Sequence, residues 1–291
     1  MSSAGEHDGP IAPGLYLVAT PIGNLEDITL RALRILRSVD RIACEDTRQT
    51  QKLLNHFGIT TPTVSYHLHN EGPRAEELLA QLKQGARIAV VSDAGTPGIA
   101  DPGHEIATTA IAAGIDVFPI PGASAVINAL VASGLSTESF AFHGFLPAKE
   151  GQRRTALEEL PYDKATHIFY EAPHRILDTL ADLEAVFGPA QTVVIARELT
   201  KLHEEFLRGT VAELRAQLSA RTAVRGEIVL LFSPVSKETA TPSRSIAAEV
   251  SALMQTESIS EKDALKRVAR ERRIGKSEAY REFQREQNRL R

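Results

Sequence analysis

The chain has 291 residues, with 33 Lys/Arg against 37 Asp/Glu and a single cysteine, Cys44. That length allows two domains or one large one; the lone thiol excludes an intramolecular disulfide and a cysteine-rich metal site, and suits a reducing cytoplasm. No apolar run approaches a membrane span, so no membrane partner is expected. Charge is unevenly spread: residues 241–291 carry twelve Lys/Arg against eight Asp/Glu, and the rest carries 21 against 29. A basic tail module on an acidic body points either to a polyanion partner or to a solvated helical face.

Residues 1–13 are polar, bear Gly and Pro and lack a basic-then-apolar signal pattern, and they read as a disordered tail. Gly14 to Ala19 reads as a strand ending in the tight turn Thr20-Pro21-Ile22-Gly23-Asn24, followed by a helix from Leu25 to Leu36. Neither this turn nor any later one carries Gly-x-Gly-x-x-Gly or a phosphate-loop Gly-Lys-Ser/Thr, which argues against nucleotide-dependent redox chemistry and NTP hydrolysis. Arg41 to Cys44 is a second strand running into Glu45-Asp46-Thr47-Arg48, polar residues that either hold a substrate or cap a helix from Gln49 to Phe57. His67, His69 and Glu71 follow a third strand. Their number and spacing are weak for a metal, so no metal site is expected and a hydrogen-bonded surface cluster is the better reading.

After a helix from Arg74 to Lys83, the strand Arg87 to Val91 opens the most informative stretch of the chain. Residues 93–103 hold three Gly, two Pro and two Asp in eleven positions. Residues without bulk let a backbone approach a ligand, and the carboxyl end of a strand is where open α/β sheets bind small molecules. A third small-residue turn, Pro121-Gly122-Ala123-Ser124-Ala125, follows the strand Asp116 to Ile120 and opens a helix from Val126 to Ser133. Three such turns in one sheet can line one crevice.

The pattern restarts after Gly134, with strands at Phe140–Phe145, Thr166–Tyr170, Thr192–Ala196 and Gly226–Phe232, a basic loop followed by a helix over 147–160, and helices at 176–187 and 211–218. Charged runs follow these strands, as at Glu171-Ala172-Pro173-His174-Arg175 and from Arg197 to Glu205. Residues 237–245 form a Ser/Thr/Pro-bearing linker. Three helices follow, the second with Ser260 as N-cap and Asp263 at the capping-box position, and Ile274-Gly275 breaks it from a last basic helix. That order resembles a helix-turn-helix, though helical hairpins also arise for packing alone. The expected organisation is α/β: a domain at 14–122, a second at 123–236, and a helical, RNA-docking module at 246–291.

Five separated segments, Leu17–Leu25, Cys44–Arg48, Ser92–Pro97, Pro121–Ala125 and Tyr170–Arg175, together resemble the tetrapyrrole-methylase fold family, and within it the branch that methylates ribose 2′-hydroxyls of 16S rRNA. The resemblance implies a homodimer of two α/β domains, S-adenosylmethionine folded into the cleft between them, and a decoding-centre cytidine of the 30S ribosomal subunit as target, all in the cytoplasm. The first turn, Ala19-Thr20-Pro21-Ile22-Gly23-Asn24, departs from the Gly-x-Gly-Pro-Gly-Asp of porphyrin-precursor methylases and speaks against a tetrapyrrole substrate. By similarity the cofactor meets Ile22, Asp93, Thr96, Ser124, Ala125, Tyr170, Gly226 and Glu227, with Pro21, Gly23, Ala94 and Gly95 from the same turns. Asp93 either binds a cofactor hydroxyl or amine or is a turn-forming Asp.

Methyl transfer from a sulfonium to a ribose oxygen needs alignment, exclusion of water and a base or polarising cation near the hydroxyl. Lys201 is a candidate, neutral if desolvated or cationic beside developing negative charge. Asp46, Glu171 and Glu198 are candidate proton acceptors, each with an alternative role in positioning or ion pairing. Arg48, Arg153, Arg154, Arg175 and Arg197 are candidate RNA phosphate contacts. The competing readings are methylation of a tetrapyrrole or other small molecule on the same fold, and a non-catalytic nucleic-acid-binding protein.

Overall fold

Five short segments build the first sheet: β1 (Gly14–Val18), β2 (Arg41–Cys44), β3 (Thr63–Ser65), β4 (Arg87–Val91) and β5 (Val117–Ile120). They lie in the order β3-β2-β4-β1-β5, and every neighbouring pair is parallel. The computed structural model describes residues 9–67, 71–161, 164–234, 245–257, 259–271 and 276–289. Among these, the chain divides into two compact units, Met1–Pro234 and Val235–Arg291.

The first sheet is covered on both faces, which is why its central strands read as apolar runs without alternation. On one face Tyr16, Val18, Ile42 and Val91 pack with Ala32, Ile35 and Leu36 of α1 (Leu30–Ser38) and Leu54 of α2 (Thr47–His56). On the other, Leu15, Ala43, Ile88 and Val90 pack with Leu78 and Leu82 of α3 (Glu71–Lys83) and Ile106 of α4 (His104–Ala112). Because β4, β1 and β5 are adjacent and parallel, the three small-residue turns leave the sheet at one edge.

α5 (Ala125–Ser133) follows β5 but packs on the second sheet, its Val126, Ala129 and Leu130 meeting Ile168, Val194, Val229 and Leu231. That sheet comprises β6 (Phe140–Phe145), β7 (Thr166–Glu171), β8 (Thr192–Arg197), β9 (Glu205–Thr210) and β10 (Ile228–Phe232), in the order β6-β7-β10-β8-β9. Only β6 and β7 pair in parallel; the others are antiparallel. Its second face is covered by α6 (Glu150–Glu158), α7 (Ile176–Phe187) and α8 (Val211–Ser219), through Leu157, Leu180, Leu183, Leu214 and Leu218.

The smaller unit holds α9 (Ile246–Glu257), α10 (Glu261–Glu271) and α11 (Lys276–Arg289), around Ile246, Val250, Ala264, Val268 and Phe283. The Ser260 hydroxyl accepts the Asp263 N–H at 3.2 Å and donates to the Asp263 carboxylate at 2.7 Å, the cap expected from the sequence.

Several boundaries differ from the sequence reading. Leu25–Asp27 form a 3-10 turn capped by Asn24, and α1 starts only after Thr29, whose hydroxyl accepts the Ala32 N–H. β9 is a strand that the sequence reading does not assign. Ile11 packs against the first core and the Ala12 carbonyl accepts the Tyr16 hydroxyl at 2.6 Å, so the packed chain begins before Gly14. His69, the linker up to residue 244, the break at Ile274-Gly275 and residues 1–8 of the tail lie outside the described residues. The Glu71 carboxylate accepts the Tyr66 hydroxyl at 2.8 Å and the Gly103 N–H at 3.1 Å.

Candidate active site

The turn after β1 and the loop after β4 are stitched together by backbone. The Thr20 N–H donates to the Gly95 carbonyl at 2.9 Å and the Gly95 N–H returns to Thr20 at 3.1 Å. The turn after β5 joins them: the Ala19 N–H reaches the Ile120 carbonyl at 3.3 Å, and the Thr96 hydroxyl donates to Ala123 at 3.3 Å. A side chain at Gly122 would collide with Ala19, so only glycine lets the two turns approach. Ser124 then caps α5 by accepting the Ile127 N–H.

Together with the second sheet these turns enclose a cavity of ≈ 390 Å³, within the range of small-ligand sites. Of the expected cofactor residues, Ile22, Ala94, Gly95, Thr96, Ser124, Ala125, Tyr170, Gly226 and Glu227 line it. Pro21, Gly23 and Asp93 do not. Asp93 is exposed and accepts the Asp46 N–H at 3.1 Å, the turn-organising role of an Asp. Gly23 instead meets the loop after β8, where a Cβ would overlap Lys201 and Thr200, and the Asn24 N–H donates to the Thr200 hydroxyl at 3.1 Å. The first turn thereby fastens the two sheets to each other behind the cavity.

The loop after β8 places Glu198 and Thr200 in left-handed backbone, at φ 53° and 65°. Glu198 accepts the Glu227 N–H at 2.9 Å and pairs with Lys201 at 3.0 Å, and Lys201 also reaches Glu227 at 3.1 Å. Burial disfavours the charged lysine, but its hydrogen bonds to Glu198 and Glu227 outweigh it, and its pKa stands above the ordinary value. This disfavours the neutral-amine role open to Lys201 in the sequence; Lys201 does not itself line the cavity but is a cation paired with Glu227, which does. Glu198 is correspondingly held below the usual carboxylate range, first by the Glu227 N–H and then by Lys201.

Two of the other candidate acceptors are also committed. Asp46 caps α2 and grips Arg48 through both oxygens, at 3.1 and 2.9 Å, which holds its carboxyl at about 2. Glu171 lines the cavity but is buried, accepting the Thr179 hydroxyl at 2.6 Å and the Ala172 N–H at 2.8 Å, with Arg175 at 3.3 Å.

Of the arginines expected at RNA, Arg48 is 87% exposed and Arg154 45%. Arg153 is a correction: its side chain is 5% exposed and bonds Asp182 at 2.6 Å inside the α6–α7 packing, so it cannot reach a phosphate. Arg175 and Arg197 are largely turned inward too, Arg175 to the Leu146 carbonyl at 2.7 Å and Arg197 to Glu205 at 3.0 Å and the Arg225 carbonyl at 2.9 Å.

The sequence reading missed Ile99, Ala100, Asp101, Phe145, Ala196, Leu199 and Val229, all of which line the cavity. Asp101 is the polar member, and burial lifts its carboxyl to about 6, reinforced by Glu45 and Asp93. Burial also raises the Tyr170 phenol to about 12, with further contributions from Asp101 and Glu227. A backbone at φ 61° at Ala100 was the signal to look for, and a sequence does not display it.

Comparison with known proteins agrees with this architecture. Residues 14–215 match the family model described as Tetrapyrrole (Corrin/Porphyrin) Methylases. The chain is 50% identical over 271 residues to the "Ribosomal RNA small subunit methyltransferase I" of Halalkalibacterium halodurans, covering 91% of this chain and 93% of that one. It is 53% identical over 224 residues to the protein of the same name from Synechocystis sp., covering 77% and 80%. Among solved structures, a uroporphyrin-III-C-methyltransferase from Thermus thermophilus superposes with a TM-score of 0.53 at 21% identity, covering 77% of this chain and 96% of that one, which shows the shared fold. Two α/β sheets joined at small-residue turns, and a family match across most of both, place this chain in the tetrapyrrole methylase family.

Proposed function

We propose that the protein transfers a methyl group from S-adenosylmethionine to the ribose 2′-hydroxyl of a decoding-centre cytidine in 16S rRNA, acting in the cytoplasm as a homodimer on the 30S subunit. The observation that carries the reading is the ≈ 390 Å³ cavity at the carboxyl edge of β4, β1 and β5, in a chain half-identical to proteins named as small-subunit rRNA methyltransferases.

The cavity residues fit the methyl donor. The backbone of Gly95–Thr96 and Ser124–Ala125 faces it without bulky side chains, and Ile22, Tyr170 and Val229 supply apolar wall. These residues would hold it, together with Gly226 and Glu227. When bound, the donor supplies a methyl already activated by a sulfonium charge. The protein's tasks are alignment and exclusion of water. Lys201, kept cationic, sets positive charge near the rim where the ribose oxygen gains negative charge. Arg48 and Lys52, which share a shallow polar depression on α2, and the partly exposed Arg154 are the body's candidate phosphate contacts. The basic unit α9–α11 is the candidate docking module for RNA.

The test is a transfer assay with labelled S-adenosylmethionine, offering 30S subunits, naked 16S rRNA and a tetrapyrrole precursor side by side. Label mapped to a ribose 2′-oxygen of the 30S rRNA is expected. Label confined to the tetrapyrrole would overturn the reading.

A further inference from the structure

The acceptors that sequence reasoning offers for the hydroxyl proton are all engaged elsewhere. Asp46 lies outside the cavity and is tied to Arg48. Glu171 is saturated by Thr179 and the Ala172 N–H. Glu198 accepts from Lys201 and from the Glu227 N–H, and Glu227 itself is paired with Lys201. One carboxylate lining the cavity remains. Asp101 stands on the loop after β4, and among the described residues no ion pair involves it; the nearby Ser92 hydroxyl donates to the Ala94 and Gly95 carbonyls, at 3.3 and 3.2 Å.

The loop is built to hold Asp101 still. The Gly98 N–H donates to the Pro102 carbonyl at 3.1 Å, clamping the loop around residues 99–101. Its far end is anchored by Glu71, which accepts the Gly103 N–H at 3.1 Å, and by Tyr66, whose hydroxyl accepts the Ile106 N–H at 3.3 Å while donating to Glu71 at 2.8 Å. Ala100, immediately before Asp101, is held in the left-handed region at φ 61°. Strain of that kind in a non-glycine residue persists where the surroundings over-determine it, and such residues cluster at functional sites.

We propose that Asp101 is the proton acceptor for the substrate hydroxyl. The proposal rests on the methyl-transfer reading above. As the ribose oxygen–carbon bond forms, the carbon–sulfur bond breaks with its electron pair staying on sulfur. The hydroxyl proton passes to an Asp101 carboxylate oxygen and from there to solvent, so charge and atoms balance with no further reactant. A carboxylate poised near neutrality suits this role better than one held far below it. Glu45 at the end of β2 and Asp93 on its own loop raise the proton affinity of Asp101, Asp101 raises that of Tyr170 on β7, and His67 acts on Glu45 in the opposite sense.

The test uses the full-length protein. In single-turnover transfer to 30S subunits, Asp101→Asn is expected to lower the rate by about a hundredfold or more, with S-adenosylmethionine affinity by calorimetry unchanged. The wild-type rate should climb with pH through a limb near 6. A readout independent of turnover is the carboxyl carbon resonance of labelled aspartate in the free protein: one titration with a midpoint near 6 should vanish in Asp101→Asn. Retained turnover in Asp101→Asn, or a loss accounted for by weakened cofactor binding, would overturn the assignment. A wild-type protein that places no label on ribose would overturn the methyl-transfer reading itself, and the proton-acceptor role with it.

Discussion

The two sheets of the larger unit differ in what they bury. Around the first, the buried polar residues among those described are Thr20, Thr50 and Ser92, and the Thr20 and Ser92 hydroxyls donate to the carbonyls of Ser92 and Gly95. Around the second, Arg153, His167, Glu171 and Asp182 are buried as well. The contrast follows from their topologies. A fully parallel sheet closes through tight turns whose backbone groups satisfy each other, so its ligand-facing edge is a surface of main chain. The mixed second sheet ends its strands in longer polar segments, and the charges there must be paired internally before they can face a ligand. The first half supplies shape, the second charge.

The largest expected effect tests that internal pairing. Asp182 takes Arg153 and Arg154 on its two oxygens, each at 2.6 Å, and its side chain is 2% exposed. Arg153→Ala leaves a buried carboxylate short of its deepest partner and should cost about 3–5 kcal/mol of stability, read by denaturant unfolding. The double change Arg153→Met with Asp182→Leu should recover much of the loss, because an apolar pair of similar volume avoids desolvation. A single variant as stable as the wild type would show that the pair carries no structural weight.

Next in size is the charge at the cavity rim. Lys201→Ala should lower turnover by about 10²-fold, the scale of losing one group that stabilises developing charge, while leaving cofactor affinity nearly unchanged, since the backbone turns do the holding. Unchanged turnover would remove Lys201 from the site. The complementary change on the first sheet is Gly95→Val. Its φ of 85°, and an Ile22 methyl 3.3 Å from where a Cβ would stand, make any side chain there both strained and crowded. The variant should lose about 1–3 kcal/mol, visible as weakened S-adenosylmethionine binding in calorimetry rather than as a slower chemical step. If Gly95→Val slowed turnover without touching affinity, the division between a shape-giving and a charge-giving half would fail.

The same division explains what a sequence reader could see. Small-residue turns after β1, β4 and β5 were visible as Gly and Pro clusters, and the parallel order of the strands brings them together. The contribution of the second sheet was hidden. Phe145 reaches the cavity because β6 shifts register between Phe142 and Phe145, with Gly144 at φ 68°, and a period-two reading assigns it the wrong face. β9 escaped because Glu205 and Arg208 look like the continuation of a charged loop, whereas Arg197 and Arg221 hold Glu205 and the Phe206 ring lies 4.8 Å under the Arg208 guanidinium. Arg153 looked like its neighbour Arg154, and only the packing of α6 on α7 separates a buried arginine from an exposed one. Asp101 lies in the loop that the sequence marks for ligand binding, but which of its residues face the cavity depends on the way the loop turns.

The smallest effect concerns β9 and its pH dependence. Hydrogen bonds from Arg221 and then Arg197, working against burial, hold the Glu205 carboxyl at about 2, below its ordinary 4.5. A carboxylate depressed in the folded state contributes stability in full above its unfolded pKa and loses it as the pH falls through the folded one. The contribution should therefore fade between about pH 4.5 and 2. Because the Glu205 and Arg221 side chains are each 27% exposed, solvent screening reduces the benefit to about 1 kcal/mol. Unfolding curves of the wild type and Glu205→Gln should differ by that amount at pH 6 and converge as the pH approaches 2. A constant difference across the range would assign the loss to altered packing of β9 instead of to charge, and would place this edge of the second sheet with the first, where shape rather than charge does the work.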